Sequence, residues 1–209
     1  MNSIMNKRQA LQRLAKAAAL VGVATMAGLH LAGCSKSNVK FNAVDITGAE
    51  YAKGFSLTDA DGKPRTLADF KGKVVVLFFG YAQCPDVCPT TMTEMAQVKK
   101  ELGADGDKLQ VLFVTVDPER DTPVVMKAYM EAFDPSFIAL IPTSEQLAAM
   151  AKDFKVYYKK VEGKTPTSYS MDHSAASYVY DREGRLRLYA RYGAGVPSMV
   201  SDLKALLKS

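Results

Sequence analysis

The side chains in this sequence that could do chemistry are two thiols and one imidazole. Phe79–Pro89 reads FGYAQCPDVCP, an apolar run entering a loop where Cys84 and Cys88 are separated by Pro85, Asp86 and Val87. Thiols this close serve as a structural bridge, a redox pair or a metal clamp. A bridge across so short a loop removes little entropy from the unfolded chain, which makes it the weakest of the three readings. Dithiol oxidoreductases usually place two residues between their cysteines. A third residue lets the sulfurs either join or part around an ion, because metal–sulfur bonds of about 2.3 Å hold two thiolates well beyond bonding distance. The spacing therefore leaves redox and metal chemistry open. The other borderline ligand is His173 in SYSMDHSAASYVY (Ser168–Tyr180), read as lying in a polar loop ahead of a strand.

The third cysteine belongs to a different signal. Asn6–Lys16 (NKRQALQRLAK) is a basic stretch, Ala17–Gly33 is an apolar run too short and too rich in small residues to span a membrane well, and LAGC (Leu31–Cys34) closes it. This resembles a bacterial lipoprotein signal peptide. The resemblance implies a leader over 1–33, lipid on Cys34, a tether over 34–50 and a working domain over 51–209. That domain would sit in the periplasm or another extracytoplasmic space of the cell envelope, held at a membrane surface where disulfides can form. His30 leaves with such a leader and is no ligand candidate.

Charge excludes one class of partner. The chain carries 27 Lys and Arg against 22 Asp and Glu, a net charge of +5. Lys7, Arg8, Arg13 and Lys16 all lie in the leader, so the rest is nearly neutral and gives no reason to expect nucleic acid.

The elements that would position these groups alternate in type. FSLTDADGKPRTLADF reads as a hairpin around an ADG turn, and KVVVLFFGY (Lys73–Tyr81) as a strand covered on both faces. The helix after the cysteines is expected from Thr91, with Thr91 and Glu94 as a capping box and Met92, Met95, Val98 and Leu102 facing the core. LQVLFVTVD is a second buried strand, and Thr122-Pro123 opens a helix. FIALIP is a short strand, and SEQLAAMAKDFKVYYKKV reads as one long amphipathic helix capped by Thr143 or Ser144. SYVYDREGRLRLYAR gives two strands, and PSMVSDLKALLKS a closing helix. The pattern predicts an α/β fold: a central mixed β-sheet with helices on both faces and an N-terminal β-hairpin. The cysteine loop then falls at the carboxyl end of a strand and the start of a helix, where thiols are more acidic.

Four ordered motifs, FGYAQCPDVCPTT, VTVDPERDTP, DHSAASYVYDREG and GAGVPSMV, resemble the Sco/SenC family of thioredoxin-like copper proteins across the whole domain. The resemblance implies copper held by Cys84, Cys88 and His173. It also implies delivery to the dinuclear copper site on a cytochrome c oxidase subunit, with another periplasmic copper chaperone or a thiol reductant as a further partner. Whether the protein is an enzyme stays open: the alternative is a membrane-tethered thiol–disulfide reductase using Cys84 and Cys88 to keep the partner's cysteines reduced. Two thiolates and an imidazole suit copper, whereas zinc would need Asp86 or Asp172 to complete a set of four. Asp86 is otherwise expected to orient the loop or a partner, and Asp172 to orient His173. Asp117 and Asp121 lie in an acidic loop that the resemblance associates with function. Met92 and Met95 are expected in the core.

Overall fold

The computed structural model describes residues 39–165 and 168–208; the basic leader, Cys34 and the first part of the tether lie outside them. In chain order the elements are β1 (Val44–Asp45), β2 (Ser56–Asp59), β3 (Pro64–Thr66), β4 (Val74–Gly80), α1 (Val87–Glu101), β5 (Leu109–Thr115), α2 (Pro123–Glu131), β6 (Ile138–Ile141), α3 (Ser144–Phe154), β7 (Tyr158–Glu162), β8 (Tyr169–His173), β9 (Ser177–Tyr180), β10 (Leu186–Ala190) and α4 (Val196–Lys208). Eight strands form one mixed sheet in the order β1-β10-β9-β4-β5-β6-β2-β3, while β7 and β8 pair apart from it as a two-stranded ribbon. Strands β4, β5 and β6 run parallel, and β9 flanks β4 antiparallel.

The two mainly apolar runs form the centre of the sheet because every residue of β4 and β5 is buried there, with Val74 opposite Leu109 and Gly80 opposite Thr115. Neighbouring strand residues point to opposite faces. Phe78 packs against Phe113, which meets Tyr129 of α2. Phe79 turns the other way, onto Phe154 of α3 and Tyr178 of β9. Helices therefore cover both faces, and α1 packs against α4. Fully burying each of these phenylalanines contributes about 1.5 to 3 kcal/mol.

Several elements differ from the sequence reading. Helix α1 begins at Val87, with Asp86 at its N-cap position. Thr91 is no cap: its Oγ1 donates to the Val87 carbonyl one turn back, 2.7 Å away. Pro89 is tolerated because the first turn of a helix has no use for its missing N–H. This draws Cys88 into the helix. The helix capped by Thr143 stops at Phe154, where Lys155 takes a left-handed conformation (φ 56°). Tyr158–Val161, read as its continuation, belongs to strand β7, with Tyr158 opposite His173. Leu147, Met150, Ala151 and Phe154 are the buried stripe of α3. Tyr158 falls at the next position of that stripe, so the spacing alone carries the helix too far. His173 is the last residue of β8 rather than part of a loop.

The segment read as tether is folded from Lys40 onward. The backbone N–H groups of Asn42 and Ala43 donate to the Asp202 carboxylate at 2.9 and 2.8 Å, and β1 pairs with β10.

Candidate metal centre

The site stands at the carboxyl end of β4, where the chain leaves the sheet and enters α1. Cys84 is half-buried in the connecting loop, and its Sγ accepts the N–H of Cys88 at 3.4 Å. Cys88, fully buried in the first turn of α1, lies beneath it. Both sulfurs are free thiols. From the other side β8 brings His173, whose Nε2 is 3.4 Å from Cys88 Sγ. The ligand atoms of Cys84, Cys88 and His173 all lie within 4.8 Å of one another, and they form the one such cluster among the described residues.

The imidazole is held from several directions. Its Nδ1 is 3.0 Å from the Ser174 carbonyl. A carbonyl only accepts, so Nδ1 carries the proton and Nε2 presents its lone pair to the sulfurs, the arrangement common to metal-binding histidines. Phe78 and Tyr81 meet the ring edge to face, with centroids 6.0 and 5.9 Å away. Ser174 is in turn pinned to Tyr157, its N–H donating to the Tyr157 carbonyl and its Oγ accepting the Tyr157 N–H.

Beneath the thiols, Gly80 leaves no room for a side chain. A Cβ there would sit 2.7 Å from Cys88 Sγ, 2.7 Å from Phe113 Cζ and 2.9 Å from Phe78 Cε1.

The two thiols are unlike. Donation from Cys88 holds the Cys84 thiol far below its usual value, to about 3, with further help from the N–H groups of Asp86 and Cys88 against the opposing effect of burial. The neighbouring Cys84 sulfur, and then burial, push Cys88 up. The metal-free pair therefore holds its remaining proton on Cys88, leaving Cys84 as the nucleophile at the helix N-terminus.

The acidic residues take different places. Asp121, 1 % exposed, accepts from Thr115 Oγ1 and from the Ala82 N–H, and so fixes the start of the cysteine loop. Burial raises its pKa. Asp117, 3 % exposed, accepts from Arg120 Nε and from Tyr169 OH. Neither carboxylate is presented at the surface. Asp86 is exposed and accepts from Thr90 Oγ1 at 3.4 Å. Asp172 is also exposed, and the atom that orients His173 is the Ser174 carbonyl, not Asp172. Adjacent residues of a strand face opposite ways, which is why Asp172 points away. Met92 and Met95 are buried in the core, as expected. Sequence reasoning missed Arg120, Gln83 and Tyr169, which join the acidic loop to both halves of the site. The Arg inside VDPERDTP, flanked by carboxylates, was the available signal.

A mixed sheet of this order, with a dithiol at a helix N-terminus and a histidine facing it, defines a thioredoxin-like protein with a soft Cys/Cys/His metal site. The SCO1/SenC family model matches residues 44–208, and the chain belongs to that family. Among curated relatives, the mouse "Protein SCO2 homolog, mitochondrial" is 35% identical over 152 residues, covering 72% of this chain and 60% of its own. Yeast "Protein SCO2, mitochondrial" is 41% identical over 133 residues, 63% of this chain and 44% of its own. The chain thus spans only part of the length of these two relatives. Solved structures match more fully. Bradyrhizobium japonicum ScoI with copper bound is 41% identical with a TM-score of 0.66, covering 73% of this chain and 96% of that one. Apo Sco1 from Thermus thermophilus is 37% identical with a TM-score of 0.71, covering 81% and 99%.

Proposed function

We propose that this protein holds copper through Cys84, Cys88 and His173 and delivers it to the dinuclear copper site of a cytochrome c oxidase subunit. The observation that carries the reading is the convergence of the three ligand atoms with His173 already in the metal-binding tautomer. The donor set fits the ion: two thiolates and one imidazole are soft and three-coordinate, which suits Cu(I). Structural zinc prefers a closed set of four, and the cluster has three members among the described residues. The family and its copper-bound members support the same ion.

The asymmetry of the site supports a route for delivery. Cys88 is sealed in the core while Cys84 is partly open, so an incoming thiolate from the partner approaches on the Cys84 side. As the partner's ligand binds, Cys84 is the first to let go, and the ion passes without being released to water. The test is titration of the reduced protein with Cu(I), followed by mixing with a metal-free oxidase copper-site domain. One tightly bound equivalent that moves to the partner is expected.

The asymmetry of the two thiols also supports a second reading, a thiol–disulfide reductase. Cys84 thiolate attacks a partner disulfide, Cys88 then displaces the mixed disulfide, and the partner leaves with two thiols while Cys84 and Cys88 are oxidised to a disulfide. An upstream thiol reductant would restore them. High reductase turnover by a protein that takes no copper would favour this reading over the first.

A lipid on Cys34 would hold the domain at a membrane of the cell envelope. A structurally similar SCO1/SenC family lipoprotein from Bacillus anthracis supports this, at 28% identity and a TM-score of 0.63. No helix among the described residues is long and apolar enough to cross a membrane. Cys34→Ser should remove the lipid mass from the N-terminal peptide and leave the leader uncleaved, read by mass spectrometry. A wild-type N-terminal peptide without lipid would sink the assignment.

A further inference from the structure

We infer that Arg120 is a positioning residue that sets the distance between the cysteine loop and His173, and so tunes how tightly the site holds its metal. This rests on the copper reading above but assigns a part to a side chain outside the ligand set.

The need for such a residue comes from the topology. The thiols belong to the main sheet and α1, whereas His173 ends a ribbon that pairs only with itself. Something must hold one against the other. Arg120 comes from a third element, the loop between β5 and α2, and reaches both. Its Nη1 donates to Gln83 Oε1, on the residue before Cys84, at 3.1 Å. The same nitrogen donates to the Tyr169 carbonyl, the first residue of the strand that ends in His173, at 2.9 Å. Its Nε is held by Asp117, which also accepts from Tyr169 OH at 2.8 Å. The guanidinium carbon lies over the Tyr169 ring, 3.4 Å from its centroid, and 5.8 Å from the centroid of the Tyr81 ring, which itself contacts His173. Only a planar, rigid fork stacks on a ring and bonds to two directions at once, so lysine is no substitute. The side chain is 17% exposed, so these bonds are largely shielded from water.

The test is a double-mutant cycle on the full chain, read as Cu(I) affinity by competition with a chromophoric chelator. Groups that orient metal ligands typically cost about ten- to a hundredfold in affinity when removed. Arg120→Met should show a loss in that range. In a His173→Ala background the same substitution should cost less than about threefold, because the ligand it positions is already gone. A purely structural arginine would give equal losses in both backgrounds, and that result overturns the proposal, as does wild-type affinity in Arg120→Met. If Arg120→Met does not fold by circular dichroism, Arg120→Lys, which keeps the charge and stem, should reproduce the same non-additive loss, and additivity there overturns the proposal. Wild-type protein that takes up no copper overturns the copper reading itself, a result distinct from any of these.

Discussion

Removing any one of the three ligands should lower Cu(I) affinity by on the order of 10²- to 10³-fold. Zinc sites of four ligands are worth about 10 to 16 kcal/mol, which apportions roughly 2.5 to 4 kcal/mol to each ligand as a scale for metal–thiolate and metal–imidazole bonds. Cys84→Ser, Cys88→Ser and His173→Ala are the variants, and chelator competition is the measurement. The fold should survive all three, because Cys84 and His173 are only partly buried and serine is close in size to cysteine. Cys88→Ser should also lose some stability, since its hydroxyl would enter a fully buried position. The decisive variant is His173→Ala. The two serine variants impair a copper carrier and a dithiol reductase alike, while His173 donates only to the former's ion. Wild-type copper affinity in His173→Ala, together with strong reductase activity, would remove the ligand assignment.

The second large effect is expected at Gly80, and it touches stability and function together. Its backbone is ordinary extended strand, so Gly80→Ala meets no conformational penalty, only a steric one. The added methyl would press on Cys88 Sγ and on two buried phenylalanine rings. Neither ring can swing aside, because Phe78 and Phe113 pack on each other and are wholly buried. Overpacking of this kind costs about 1 to 3 kcal/mol, or roughly 3 to 10 °C in Tm for a domain of this size. Because one contact is the sulfur itself, copper affinity should fall as well, by about tenfold for a displacement that removes one favourable alignment. Thermal melts and copper competition on the same preparation check both. A variant that melts like wild type shows that the strand end yields to the methyl and that glycine is not required there.

What the sequence made legible follows the range of the interactions involved. Strands β4 and β5 could be read because runs of adjacent apolar residues, Val74–Phe79 and Val111–Val114, are stable only between two covered faces. Thr122-Pro123 and the Thr143–Gln146 capping box mark their helices through contacts within one turn. Helix α1 starts ahead of the Thr91–Glu94 pair that resembles a capping box, because Pro89 is accommodated inside its first turn. The end of α3 was missed because the residue that turns the chain is Lys155, where glycine is the usual signal. β1 is only two residues long and pairs with Leu188 and Tyr189, just after Asn42 is tied to Asp202 some 160 positions away, so no local pattern announces it. At the site, residue type and family motifs drew attention to Cys84, Cys88 and His173, and the coordinates bring them together. The hydrogen bonds around them were not readable. Ser174 offers a backbone carbonyl, which any residue could supply, and Arg120 meets Gln83 and Tyr169 across 37 and 49 positions of sequence.

The separation of the ribbon from the main sheet has a mechanical consequence for a carrier. An ion shared by Cys88 and His173 would cross-link points 85 residues apart in the sequence, closing a long loop in the manner of a reversible staple. Loading would therefore stiffen the β7–β8 ribbon more than any other part of the domain, and stabilise the fold by mass action in proportion to how tightly the ion is held. Unloading undoes the staple. The empty and filled forms would then differ chiefly in the looseness of one ribbon at the mouth of the site, and a partner touching that ribbon could tell a full carrier from a spent one by its rigidity.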